Sequence, residues 1–233
     1  MRQASSVTAV LLRIVTLCML LSATGCAWLD TRQRQIIYRP TPASAGEVAG
    51  LRPGDERYFL DVTEGGTAQR IALWWLPHAT QNAPTMLYLH GTFRDLRDNL
   101  PKIDALRDAG FAVLAVDYRG WGHSTPITPS EQTIMHDARL AWAELERREP
   151  RPAQRVIYGH SMGSGVAVDL ASKLASQSDY GALILESAFT SFSDVAREAG
   201  VLARVLAWFG SERFASIDKI ASIQAPLLMI HGN

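Results

Sequence analysis

A serine between two glycines is the feature of this chain with the clearest chemical meaning. Gly159-His160-Ser161-Met162-Gly163 follows the apolar residues 156–158 and precedes small and aliphatic residues at helical spacing. This order predicts a buried strand, a sharp turn and a helix, which is typical of a nucleophile elbow. The pattern alone can arise by chance, but the strand before it and the helix after it favour a catalytic turn. Ser161 is therefore the candidate nucleophile for acyl transfer.

The residues around Ser161 fit that chemistry. Gly159 and Gly163 are small, as required where a strained turn lies close to neighbouring backbone. The N–H of Met162, at the start of the predicted helix, is in position to donate to an oxyanion that develops on the substrate.

The rest of the chain alternates between predicted strands and helices. Such alternation predicts a mainly parallel sheet with helices on both faces. Strands are predicted over 57–62, 70–76, 85–91, 111–116, 156–158, 181–186 and 226–230, and helices over 99–109 and 130–148, with Ser130 as a helix cap. The apolar segment 189–220 is either a small cap over a substrate cleft or a plain covering helix with a solvated loop.

Composition narrows the class of protein. The 233 residues carry 23 basic and 23 acidic side chains, so no charge surplus indicates a nucleic-acid partner. With 47% hydrophobic residues, the chain has enough apolar material for one globular domain with a sizeable core. No spaced group of His, Cys and Asp residues indicates a metal, no phosphate-binding loop is found, and no cofactor is expected. Oligomeric state is not predicted.

The N-terminus has the features of an export signal. Arg2 and Arg13 precede an apolar run, Ile14 to Leu21, which is too short to span a bilayer. The following residues, up to Gly25 and Cys26, resemble the lipobox of bacterial lipoproteins. That resemblance implies a signal peptide over 1–25, lipid attachment at Cys26 and a membrane anchor.

Several consequences follow from the lipobox. Ala27, directly after the cysteine, implies a location in the outer membrane, with the protein facing the periplasm. The alternative to a lipoprotein signal is an ordinary cleaved signal or an uncleaved anchor. Because Cys18 lies in the signal peptide, no second thiol is left for a disulfide. Residues 26–54 show no clear periodicity and are expected to be a tether, and 55–233 to be the catalytic domain.

Five blocks in order resemble the α/β-hydrolase superfamily. They are His90-Gly91-Thr92-Phe93, Asp117 to Ser124, Gly159 to Gly163, Leu185 to Ser191, and Ala225 to Gly232. More narrowly, they are similar to small membrane-tethered serine hydrolases of the Bem46-like branch. The resemblance implies an α/β-hydrolase fold with Ser161 as nucleophile and the N–H groups of Thr92 and Met162 as the oxyanion hole.

The same resemblance assigns structural roles to two ionisable residues. His90 is expected to order its loop rather than act as a base. Asp117 precedes Ser161, whereas the superfamily's order is Ser, acid, His, so it is expected to brace the turn at Arg119 and Gly120.

The superfamily's catalytic acid and histidine follow the block that ends at Gly232. We therefore expect a chain truncated at its C-terminus, without the last strand and helix and nearly inactive by itself. An alternative triad of Ser161, Glu186 and His231 has the right order, although His231 occupies the position of a strand-end histidine.

The sequence thus predicts a lipid-anchored serine hydrolase of carboxylic esters or thioesters. A serine aminopeptidase of the same fold and a non-catalytic envelope scaffold are the alternatives. Substrate and acyl preference are not predicted.

Overall fold

The computed structural model describes residue 25 and residues 27–43, 49–64, 66–174, 179–198, 200 and 212–232. Most of the predicted signal peptide, together with Cys26, lies outside the described residues. So do residues 201–211, which carry much of the apolar character of the predicted cap. No helix within the described ranges is long and apolar enough to cross a bilayer.

Seven strands form one sheet with the order β1-β2-β4-β3-β5-β6-β7. The first two strands are antiparallel to each other, β2 is antiparallel to β4, and the remaining neighbours are parallel. The strands are β1 (Glu56–Glu64), β2 (Thr67–Leu76), β3 (Thr85–Leu89), β4 (Ala112–Asp117), β5 (Arg155–His160), β6 (Ala182–Glu186) and β7 (Leu227–Ile230). The predicted mainly parallel α/β architecture is confirmed.

Helices cover both faces of this sheet. Leu96, Leu100 and Ile103 of α2 (Leu96–Asp108) pack in one apolar cluster with side chains from β3 and β4. On the other face, α3 (Glu131–Arg148) and α4 (Met162–Lys173) pack in a larger cluster that includes Trp142 and Val166. Burial on both faces explains why β3 and β4 are continuous apolar runs rather than alternating ones.

Local signals in the sequence set the ends of the helices. Ser130 caps α3, because its hydroxyl accepts the N–H of Thr133 while the Thr133 side chain accepts the N–H of Ser130. The predicted cap is confirmed. Helix α2 begins three residues earlier than predicted, because Asp95 accepts the N–H of Asp98 and acts as its N-cap.

The expectation that residues 26–54 form a tether is wrong for the described residues before residue 39. Residues 27–38 form a helix, α1, whose last residue, Tyr38, is completely buried. The Tyr38 ring lies 6.2 Å from that of Trp121 and 6.3 Å from those of Phe192 and Phe214. Packing against this aromatic cluster orders a segment whose sequence lacks a continuous apolar stripe. The domain boundaries that we predict from the sequence stay predictions.

The insertion after β6 contains α5 (Phe192–Glu198) and a single helical turn, Ile217–Ile220. Between them Phe214 is buried, with its ring centroid 4.5 Å from that of Phe192. Beyond the insertion, β7 pairs with β6 and its four residues are exposed.

Candidate active site

Ser161 forms the whole connection between β5 and α4. The strand ends at His160, the helix begins at Met162, and Ser161 has φ 53° and ψ −122°. This region of backbone space is strained for any residue with a side chain, so surrounding contacts must hold it. One such contact is the hydrogen bond of 2.9 Å from the Ser161 N–H to the Glu186 carbonyl at the end of β6.

The two flanking glycines are required by close backbone contacts. A Cβ atom at Gly163 would lie 2.0 Å from the Leu89 carbonyl oxygen of β3, and one at Gly159 would lie 2.3 Å from the Gly163 carbonyl oxygen. Any side chain at either position would therefore displace backbone. The structure thus explains the glycine requirement that the sequence pattern indicates.

The loop after β3 runs beside the serine. A Cβ atom at Gly91 would lie 3.0 Å from the Ser161 Cβ, and Thr92 shares two cavities with Ser161. Among the described residues, no turn or loop acceptor takes the N–H of Thr92 or Met162, and the first N–H groups of a helix lack intrahelical acceptors. Both N–H groups are thus available at the serine.

His90 and Asp117 lie behind this loop, completely or almost completely buried. Burial lowers the pKa of His90 to about 4, so its ring is neutral at pH 7, and it contacts the Gly91 carbonyl at 2.6 Å. Burial, and secondly the charge of Asp95, raises the pKa of Asp117, whose carboxyl accepts the N–H of Leu96.

The bracing role predicted for Asp117 is wrong in part. Asp137 of α3 holds the Arg119 turn instead: it accepts the Arg119 N–H at 2.8 Å and the guanidinium Nε at 2.9 Å. Asp117 instead lies against the chain at Gly122, three residues after Arg119. A Cβ atom at Gly122 would be 1.9 Å from the Asp117 Oδ2.

The alternative triad is not assembled in the described residues. The Glu186 carboxylate accepts from Lys102 Nζ at 2.5 Å and from the Tyr158 hydroxyl, and within the described residues it does not contact His231. Burial acts to raise the pKa of Glu186, but the hydrogen bonds from Lys102 and Tyr158 outweigh it, so the pKa is lowered. His231 is exposed at the end of β7.

Two cavities meet at Ser161, Thr92 and Phe93. The first, which we call the polar cleft, has a volume of about 530 Å³ and is lined by Arg94, Asp98, Asn99, Lys102 and His160. The second, which we call the apolar groove, measures about 500 Å³ and lies between α1 and α5. Both volumes fall within the range of small-molecule sites.

Sequence reasoning missed two contributors to these cavities. Lys102, in α2, reaches Glu186 across 84 positions of the chain, and no local pattern signals that pair. Leu29, Ile36 and Ile37 of α1 line the apolar groove. Their spacing of seven and eight residues is a signal that a test for helical periodicity could have found. In the described part of the chain, no group of three or more His, Cys, Asp or Glu side chains could hold a metal ion.

Comparison with known families agrees with this geometry. Residues 80–225 match the family model described as serine aminopeptidase, S33, which is more than half of the chain. The chain belongs to this family of hydrolases. A strand, a one-residue turn at serine and a helix on a mainly parallel sheet are the features expected of an α/β hydrolase.

Two relatives by sequence extend the match. An uncharacterized protein of Mycobacterium tuberculosis is 31% identical over 228 residues, which cover 95% of this chain and 76% of that protein. The lysophosphatidylserine lipase ABHD12 of Danio rerio is 34% identical over 179 residues. That alignment covers 69% of this chain but only 46% of the lipase.

Solved structures support the fold. An α/β hydrolase from Vibrio vulnificus superposes with a TM-score of 0.69 at 21% identity, over 86% of this chain and 75% of its own. An esterase of Pyrococcus furiosus gives a TM-score of 0.57 at 21% identity, over 81% and 76%. The predicted α/β-hydrolase fold is confirmed, whereas the Bem46-like branch and the lipoprotein signal stay predictions.

The contact between Gly163 and β3 yields a first prediction. Replacing Gly163 with Ala should lower the free energy of unfolding by about 3 kcal/mol, because the added methyl group meets the Leu89 carbonyl and the backbone must shift. Urea unfolding measures this. Gly232→Ala is the matched control, since nothing lies within 4 Å of its added methyl group. Equal stability of the two variants would contradict the contact.

The lowered pKa of Glu186 yields a second prediction. A carboxylate whose pKa is lower in the folded state contributes stability above its unfolded pKa and loses it as pH falls through the folded value. The stability advantage of wild type over Glu186→Gln should therefore be present at pH 7 and shrink below the ordinary glutamate value of 4.5. Urea unfolding from pH 7 to 3 tests it, with exposed Asp61→Asn as control. A stability advantage of wild type that does not change with pH would show that the pKa of Glu186 is not lowered by folding.

Proposed function

We propose that the protein is a serine hydrolase that cleaves carboxylic esters or thioesters through an acyl-enzyme on Ser161. The observation that carries the proposal is the backbone of Ser161, held at φ 53° where strand meets helix beside two available N–H groups. A scaffold protein has no need of a strained serine. This argues against the non-catalytic alternative.

In the proposed reaction, the Ser161 Oγ forms a bond to the substrate carbonyl carbon while its proton passes to a histidine. The carbonyl oxygen becomes an oxyanion, which accepts from the N–H groups of Met162 and Thr92. Loss of one such donor typically costs about 3 to 4 kcal/mol of transition-state stabilisation. The carbon–oxygen or carbon–sulfur bond then breaks, and the histidine returns the proton to the leaving group.

Water completes the cycle. It adds to the acyl-enzyme carbonyl while the histidine takes its proton, and the collapse of this second intermediate releases the carboxylic acid and returns the proton to Ser161. Of the described histidines, only His160 lines the cavities at Ser161.

A lipid ester is the substrate that we favour. The relative from Danio rerio is by name a lysophosphatidylserine lipase, and the neighbour from Pyrococcus furiosus is an esterase. The apolar groove and the polar cleft on either side of Ser161 suit an ester with one apolar part and one polar part.

A serine aminopeptidase is the second candidate, because the matching family carries that description. An aminopeptidase must bind a substrate ammonium group, and Asp98 is the one acidic side chain among the described residues of the polar cleft, with Arg94 and Lys102 beside it. Lys102 is paired with Glu186, and Arg94 offsets the charge of Asp98, so the cleft has no surplus of negative charge to hold a cationic ligand. Parallel assays with p-nitrophenyl esters and aminoacyl p-nitroanilides separate the two activities.

We also propose that the protein is exported and anchored in the outer membrane by lipid at Cys26. The sequence of residues 1–26 supports this placement. Several acyl chains would anchor the protein stably, because each buried methylene contributes about 0.8 kcal/mol.

The nucleophile is tested by chemical labelling. The protein, purified as its gene encodes it, should react with a fluorophosphonate probe, and mass spectrometry should locate the adduct on Ser161. Ser161→Ala should lose labelling completely. Ser172→Ala, a change of serine elsewhere on the same helix, should leave it unchanged. A folded wild-type protein without an adduct would favour the scaffold.

The anchor is tested by metabolic labelling with radioactive palmitate. Cys26→Ala should remove the label and release the protein from membranes, whereas Cys18→Ala should retain both. Persistent label on the Cys26→Ala protein would rule out lipidation at this cysteine.

A further inference from the structure

We propose that the N-terminal helix α1 forms one wall of a binding site for the acyl chain of the substrate. This inference rests on the proposed function, because it takes Ser161 as the nucleophile. The site is the apolar groove, whose walls are Leu29, Ile36 and Ile37 of α1 and Phe189, Phe192 and Val195 of the segment after β6.

The position of the groove identifies which part of a substrate enters it. Ser161, Met162 and Thr92 are among its lining residues, so a carbonyl group held between the serine and the two N–H groups borders the groove. The polar cleft shares Thr92, Phe93 and Ser161 with the groove and carries charged and amide side chains. An ester with a hydrocarbon acyl chain and a polar alcohol part matches this division.

The chemistry of the lining favours a hydrocarbon. Leu29, Ile36, Phe93 and Val195 are large apolar side chains that remain exposed here, and their grouping around one groove is the kind of patch that marks a binding site. The acidic side chain of the groove, Glu212, is already occupied: it accepts from the Tyr38 hydroxyl and from the Glu131 N–H. It therefore has little capacity left for a polar ligand.

Helix α1 is held firmly enough to act as a wall. Arg34 pairs with Glu212 at 3.2 Å, and the buried Tyr38 ring packs on Phe192 and Phe214. The lining positions 29, 32, 33, 36 and 37 recur as one face of a helix. Thus one face of α1 borders the groove while its last residue is fixed in the core.

Binding of dodecanoate, measured by isothermal titration calorimetry, tests the site without requiring catalysis. Ile36→Trp fills the groove and should weaken dodecanoate binding by about tenfold or more, which is a loss that calorimetry resolves. Gln35→Trp is the matched control: the same side chain is added one position away, at an exposed residue that does not line the groove, and affinity should stay within twofold. Val195→Asp, on the opposite wall, should weaken binding as Ile36→Trp does.

The outcomes separate the two proposals. Dodecanoate binding that is lost in both groove variants and kept in the control supports the acyl site, whether or not Ser161 reacts with fluorophosphonate. Absence of saturable binding by wild type, or equal affinity in wild type and both groove variants, would overturn the site even if Ser161 is labelled. Labelling of Ser161, and not dodecanoate affinity, decides the proposed function.

Discussion

The geometry of the candidate site depends on one close backbone contact, between the start of α4 and strand β3. Only a hydrogen atom fits between the Gly163 Cα and the Leu89 carbonyl oxygen. With the helix start this close to the sheet, one residue is left to connect it to β5, and that residue, Ser161, takes a positive φ. The approach also brings the loop at Gly91 and Thr92 beside the serine. The positions of the candidate nucleophile and of both N–H donors therefore follow from one packing constraint.

The parts of this architecture that can be predicted from the sequence are those that depend on residues close together along the chain. The strands β3 and β4 were predictable because both faces of each are buried, so residues 86–89 and 112–116 are apolar without interruption. The cap at Ser130 was predictable because its hydroxyl accepts the N–H of a residue only three positions further along the chain, Thr133. Ser161, Met162 and Thr92 were predictable as candidates because glycine spacing and block order are visible in the sequence, although their catalytic roles stay predictions.

The features that were missed depend on contacts distant in sequence. Helix α1 carries polar residues at many positions, and it is ordered by Tyr38 packing on rings from residues 121, 192 and 214. Lys102 pairs with Glu186 because α2, which follows β3, brings this lysine close to the carboxyl end of β6. Asp137, rather than the nearby Asp117, holds Arg119 for a similar reason: α3 passes over the turn. Charge pairing across a fold has no local signature, so sequence proximity is a poor guide to it.

The separation of polar and apolar surfaces at Ser161 has a consequence for the proposed reaction. An acyl chain in the apolar groove would exclude water from that side of the acyl-enzyme, so the hydrolytic water must approach from the polar cleft that the leaving alcohol has vacated. Lys102, which lines that cleft, is bonded to the Glu186 carboxylate and keeps it occupied. Burial, followed by the charge of Lys102, lowers the pKa of His160, so its ring stays neutral. The cleft thus presents polar groups to water, while its lysine is paired with Glu186 and its histidine is a weak base.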